Sequence, residues 1–323
     1  QRHAEQLADV VVGVEVGAHD RGVAAIVALP DGRIATGGRD KRVLIWDLHH
    51  PGTPLELGVE NSRVCALTAL GDGRIATGGW DRRVLIWDPR HPGIPVELGT
   101  HDDWVFATTF MRDGRIASGG LDGRVLIWDL HHPGVPLELG THHRGVSAIT
   151  TLPDGGVATG GDDDGRVRIW DPDRPGTPLE LGNHDRGVAA IAALPGGRIA
   201  SGGYDGRIRI WDPQHPGTPV EIGDHDSKVG SITALRDGRI ATGGYDGRVR
   251  VWNPHYTSAP VEYGSADRFI TSVAALRDGR IATGGMDYRV LIWDPQNPGA
   301  PLELGSHDYV VEAVAALPDG RIA

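Results

Sequence analysis

Apolar residues in this chain come in short runs cut off by Gly, Pro or Asp, and no stretch keeps the 3.6-residue period of an amphipathic helix. Residues 23–29 (VAAIVAL) are small and branched, which suits a crowded inner strand. Pro30-Asp31-Gly32 then makes a turn, because Pro fixes φ and Gly accepts positive φ. Residues 33–36 form a second strand, which Gly37-Gly38-Arg39-Asp40 closes, and residues 42–46 (RVLIW) form a third, mainly apolar one. Asp47 and a loop at Pro51-Gly52 stop it. Residues 54–57 (PLEL) alternate apolar and polar positions and start with Pro, as an outer edge strand tolerates. The pattern predicts an all-β fold.

This four-strand unit repeats. The segment beginning at Asp31 returns at Asp72, Asp113, Asp154, Gly196, Asp237, Asp278 and Asp319. Trp46, Trp87, Trp128, Trp170, Trp211, Trp252 and Trp293 keep the same beat, 41 residues apart except for one step of 42, where Asp162-Asp163-Asp164 holds an extra residue. Four strands per unit, tiled many times, predict radial repetition, since neighbouring sheets packed face to face bury the faces that one sheet alone would expose.

Composition adds less. The 48 Gly and 22 Pro of the 323 residues belong to the repeat rather than to disorder. Cys65 is the only cysteine, so no intrachain disulfide forms, which fits a reducing, cytoplasmic setting. No apolar run reaches the length of a membrane span, and residues 1–9 hold no signal-type apolar core. The net charge of −11 and the absence of a Lys/Arg stripe argue against a nucleic-acid partner. The chain lacks an initial Met and stops inside a motif, so it reads as a piece of a longer protein with other domains. One domain over 1–323 is expected: an extension at 1–10, seven repeats over 11–298 and a partial eighth over 299–323.

Gly17-Ala18-His19, Asp40 and Trp46-Asp47, recurring in register, resemble the G-H…D…W-D signature of the WD-repeat (WD40-type) family over about residues 11–323. The resemblance implies a β-propeller of four-stranded antiparallel blades. Seven blades are favoured and eight are the alternative, and the fourth strand of one sequence repeat lies outermost in the preceding blade. Residues 11–16 resemble an outer strand that closes the ring. The resemblance also implies a buried network within each blade: His19, Thr36, Asp40 and Trp46; His101, Ser118, Asp122 and Trp128; His184, Ser201, Asp205 and Trp211; His225, Thr242, Asp246 and Trp252. The fourth repeat has His142, Thr159 and Trp170, with Asp163 or Asp164 as the acid. Glu60 and Ala266 replace His in the second and seventh repeats, which are expected to be locally weaker.

No catalytic residue is assigned. Ser, His and Asp recur in nearly every repeat, with Ser and Thr exchanging freely, as a structural network does and a hydrolytic triad does not. The chain holds no G-x-S-x-G, H-E-x-x-H, Walker-type loop or G-x-G-x-x-G. Cys65 reads as a core residue, His49-His50 and His131-His132 as solvated loop histidines, and 162–165 as a turn insertion without the later ligands of a calcium loop. No metal, cofactor or enzyme activity is expected.

Function is expected where the framework varies. In the resembled family the entrance to the inner strand, that strand's second residue and the residue before the turn Asp share one face. The entrances are Gly22, Arg63, Trp104, Gly145, Gly187, Lys228 and Phe269. The second residues are Ala24, Cys65, Phe106, Ser147, Ala189, Gly230 and Thr271. The third set is Arg39, Trp80, Leu121, Asp163 (or Asp162), Tyr204, Tyr245 and Met286. Arg63, Trp80, Trp104, Phe106 and Leu121 crowd repeats two and three, and Tyr204, Tyr245, Phe269 and Met286 form a second cluster. Aromatic residues and Arg anchor protein interfaces. The reading is a non-enzymatic protein-binding scaffold or sensor, similar to the recognition domains of larger bacterial signalling proteins; the alternative is a small-ligand or glycan-binding propeller.

Overall fold

The computed structural model describes residues 18–48, 50, 53–255, 259–295, 297, 299, 301–317 and 319–323. The expected outer strand at 11–16 lies outside them. Seven antiparallel sheets of four consecutive strands each make seven blades, and the only described helix is a three-residue 3-10 turn, Pro195–Gly197. Blade one is typical: Val23–Ala28 innermost, then Ile34–Gly38, Arg42–Trp46 and Leu55–Val59 outermost.

The cores lie between blades. Leu29, Ala35, Val43, Ile45 and Leu57 of blade one pack against Val64, Ile75, Leu85 and Trp87 of blade two, and the same set recurs around the ring. The glycine pair explains how close the sheets come. Gly37-Gly38, read from sequence as a turn, instead ends the second strand. A Cβ on Gly37 would run into Val64 of the next blade, and one on Gly38 into the His19 ring and the Asp40 carboxylate. The turn itself follows at Arg39 and Asp40, closed by Lys41 N donating to the Gly38 carbonyl.

Every inner strand carries a β-bulge at its second residue. Val64 pairs with Gly79 and Ala66 with Gly78, so Cys65 is skipped; Phe106, Ser147, Ala189, Gly230 and Thr271 are skipped likewise. A bulge residue is released from the ladder and its side chain is re-aimed. That is why this position varies while its neighbours do not.

Residues 299–323 divide. Leu302–Ser306 is the outer strand of blade seven. Residues 310–317 and 319–323 then dock on blade seven as each blade docks on its predecessor. Val311 fills the space above Gly284 that Val64 fills above Gly37. Thr271 Oγ1 donates to the Val311 carbonyl as Ser147 Oγ does to that of Val188, both at 2.5 Å. Leu317 packs on Ile34, Leu44 and Trp46 of blade one, and Ala316 and Ile322 pack on blade seven. A partial eighth unit thus stands at the seam of a ring of seven complete blades.

Candidate functional site

Within the blades the expected polar networks form, deeply buried. In blade three Trp128 Nε1 donates to Ser118 Oγ at 2.7 Å, His101 Nε2 is 2.7 Å from the same oxygen, and His101 Nδ1 is 3.1 Å from the Asp122 carboxylate. One proton arrangement satisfies all: imidazole Nδ1–H donates to Asp, and the hydroxyl donates to Nε2 while accepting from the indole. Blades one, five and six repeat it with His19, His184 and His225. In blade four the acid is Asp164, 3.2 Å from His142. Burial alone would raise these Asp carboxyls, but the His hydrogen bond and charge with two backbone N–H groups outweigh it, bringing Asp205 and Asp246 down to about 2. Blades four, five and six add a cation the sequence reading missed: Arg168, Arg209 and Arg250 reach Asp164, Asp205 and Asp246 from the third strand.

Blade two keeps its network despite lacking His. Thr77 Oγ1 donates to Glu60 Oε1 at 2.5 Å and accepts from Trp87 Nε1 at 3.0 Å. Glu60 Oε2 has no hydrogen-bond partner, and burial, with Asp81 nearby, pushes the carboxyl up to about 7. In blade seven Trp293 still donates to Thr283, but no ring bridges Thr283 to Asp287, whose Oδ2 lacks a hydrogen-bond partner.

The variable residues form a second set of contacts, outside the networks. Trp80 and Trp104 stack with centroids 4.4 Å apart and planes 10° from parallel, although Trp80 follows a strand of blade two and Trp104 precedes one of blade three. Phe106 meets Trp104 edge-on at 6.2 Å, and the Arg63 guanidinium lies 5.6 Å over the Trp80 ring. Trp80 remains 39 % exposed. Leu121 adjoins through its backbone, Leu121 N donating to the Trp104 carbonyl at 2.7 Å. The second cluster is also assembled: Tyr245 stacks on Phe269 at 4.8 Å, and Met286 N donates to the Phe269 carbonyl. Tyr204 joins it through Lys228, whose Nζ lies 4.0 Å from the Tyr204 ring centre and 5.2 Å from that of Tyr245. Lys228 and Asp162, which accepts from Tyr204 Oη at 2.7 Å, had been placed on the variable face but not in this cluster. Asp162 takes the position left open between it and Asp163, since its N donates to the Gly145 carbonyl as Trp80 N does to that of Arg63.

Burial pushes the Cys65 thiol up to about 11, which keeps it protonated at neutral pH. His132 and His50 are exposed and lie beside Asp129 and Asp47, at 2.8 and 2.9 Å. Among the described residues no group of three or more His, Cys, Asp or Glu is placed to hold a metal ion.

Seven radially packed four-stranded blades with a repeated His–Ser/Thr–Asp–Trp network define a β-propeller of the WD-repeat class. The WD domain, G-beta repeat, matches residues 12–47, 56–88, 95–129, 135–171, 177–212, 218–253 and 261–294, and the chain belongs to this family. Each match that lies wholly within the described residues starts in or within two residues of the outer strand of one blade and ends after the third strand of the next. The one-strand offset is therefore present. Among solved structures it is similar to the WD40 β-propeller domain of Doa1, with TM-score 0.69 and 22 % identity over 86 % of this chain and 95 % of that one. It is also similar to the computationally designed Ika8 protein, with TM-score 0.76 and 25 % identity over 96 % of this chain and 98 % of that one. No curated protein sequence matches it significantly.

Proposed function

We propose that this propeller is a non-catalytic recognition module that docks a protein partner on its variable face, anchored at blades two and three. The stacked Trp80–Trp104 pair carries this reading. WD-repeat propellers are in general protein-interaction scaffolds, and a half-exposed indole pair beside Arg63 is the residue chemistry of an interface centre. A glycan-binding propeller would favour like aromatic pockets in every blade, whereas here Gly22 and Gly187 hold the corresponding places in blades one and five. Such a module suits one arm of a larger signalling protein.

The test compares capture of partners from host extract by the wild type and by Trp80→Ala/Trp104→Ala, with thermal unfolding as the control. The expected result is loss of capture with folding retained. Folding and capture both surviving would move the docking surface to the Tyr204–Lys228–Tyr245–Phe269 cluster.

A further inference from the structure

We propose that a cavity at the seam between the partial eighth unit and blades one and two binds a phosphate monoester carried on a side chain of the partner. The inference rests on the variable face being the docking surface and adds the chemistry that this part of it recognises. The cavity, of about 470 Å³, is walled by Arg21, Arg39, Lys41 and Arg63, with Ser62, Trp80 and Tyr309 completing it. Four cations thus converge in a chain whose net charge is −11.

Their charge is only partly balanced. The single carboxylate of Glu312 spans Arg39 and Arg63. Among the described residues neither Arg21 nor Lys41 takes part in a salt bridge, and Arg63 Nε is buried without a hydrogen-bond partner. Lys41 sits at φ 76°, a left-handed position held by Arg82 and Tyr288 in blades two and seven and by Gly123, Gly165, Gly206 and Gly247 in blades three to six, so the fold itself does not require a lysine there. A partner carboxylate brings one charge. A phosphate monoester brings about −1.5 to −2 and three acceptor oxygens, which suits the remaining guanidinium, ammonium and hydroxyl donors. A recessed cationic wall on an acidic molecule also focuses the field, drawing such a group to this place rather than elsewhere on the face.

The measurement is calorimetric titration of the whole chain with N-acetyl-O-phosphoserine methylamide, N-acetylglutamate methylamide and inorganic phosphate. The phosphoserine amide is expected to bind at least tenfold more tightly than either of the other two, and more weakly as salt is raised. Arg21→Ser with Lys41→Gly, residues that sister repeats carry at Ser227 and Gly123, is expected to weaken that binding at least tenfold without lowering the Tm. Val135→Ser, an exposed position outside the cavity wall, is expected to keep it. No binding, parity with glutamate, or undiminished binding by the double variant overturns the proposal. Parity with inorganic phosphate overturns the assignment to a partner side chain. Phosphoserine binding as expected, together with partner capture that ignores Trp80 and Trp104, leaves the phosphate site standing and removes the tryptophan anchor.

Discussion

Arg63 Nη2 donates to Glu312 Oε2 at 2.6 Å, joining blade two to the partial eighth unit across 249 positions of sequence. The bond passes blade one, whose own entrance and bulge residues are Gly22 and Ala24, too small to obstruct it. Beneath it, Val311, Val314 and Leu317 are buried at the seam, each burial worth about 1.5–3 kcal/mol. Deleting residues 307–323 is therefore expected to lower the Tm markedly in calorimetry. An unchanged Tm would show that the seven complete blades close without them.

The glycine near the end of each outer strand separates filled from unfilled seams. At Gly99, φ 148°, an added Cβ would run into the Trp128 ring, whereas at Gly305 nothing lies within 4 Å. Gly99→Ala is expected to cost at least ~2 kcal/mol in denaturant unfolding, as overpacked sites do. Gly305→Ala is expected to stay within about 0.5 kcal/mol of wild type. Equal costs would mean that the Trp contact does not dictate the glycine.

Glu60 makes stability depend on pH in a stated direction. Its folded pKa of about 7 lies above its ordinary value of 4.5, so between the two the folded state holds the proton that the unfolded state has lost. Stability then falls as pH rises from about 4.5 to 7, by on the order of 3 kcal/mol for this group. The tetrad carboxylates act oppositely. Asp205 and Asp246, near 2, contribute stability above their ordinary 3.8 that is lost as pH falls through the folded value. Glu60→Gln is expected to raise the Tm at pH 8 and to leave it nearly unchanged at pH 4.5. A variant that follows the wild type at both pH values contradicts this account.

Blade seven should accept the ring it lacks. Ala266 occupies the His position, Thr283 already accepts from Trp293, and Asp287 Oδ2 has no hydrogen-bond partner. Ala266→His is expected to join Thr283 to Asp287 and to add about 1–2 kcal/mol. Trp128→Phe, which takes a donor from an intact network, is expected to cost about 1–3 kcal/mol. Calorimetry on both variants checks the pair, and opposite signs are required.

Much of this was legible in the chain itself, because repetition turns one sequence into many readings of the same unit. The Asp-Gly turns, the RVLIW strand and the spacing of His19, Thr36, Asp40 and Trp46 each recur, so local propensity and spacing sufficed for strands, blade and network. The same comparison singled out Trp80, Trp104 and Phe106 as departures from a framework, and they meet in space. Glu60 was read only as a missing His: the sequence hid both its ability to accept from Thr77 and the burial that leaves its other oxygen without a hydrogen-bond partner.

What the linear order could not hold is which residues face one another across blades. Gly37 looks like a turn residue until Val64 of the next sheet is placed against it. Lys228 was a position on the variable face without a contact until Tyr204 and Tyr245, from neighbouring blades, closed on it. Arg21, Lys41 and Tyr309 share a cavity only because Leu317 and Ala323 dock the chain's end beside blade one. Hydrogen-bonded pairing within a blade is local and periodic, so sequence determines it. Contacts between blades, and above all across the seam where the two ends of the ring meet, depend on how the sheets stack, and that only the tertiary structure decided.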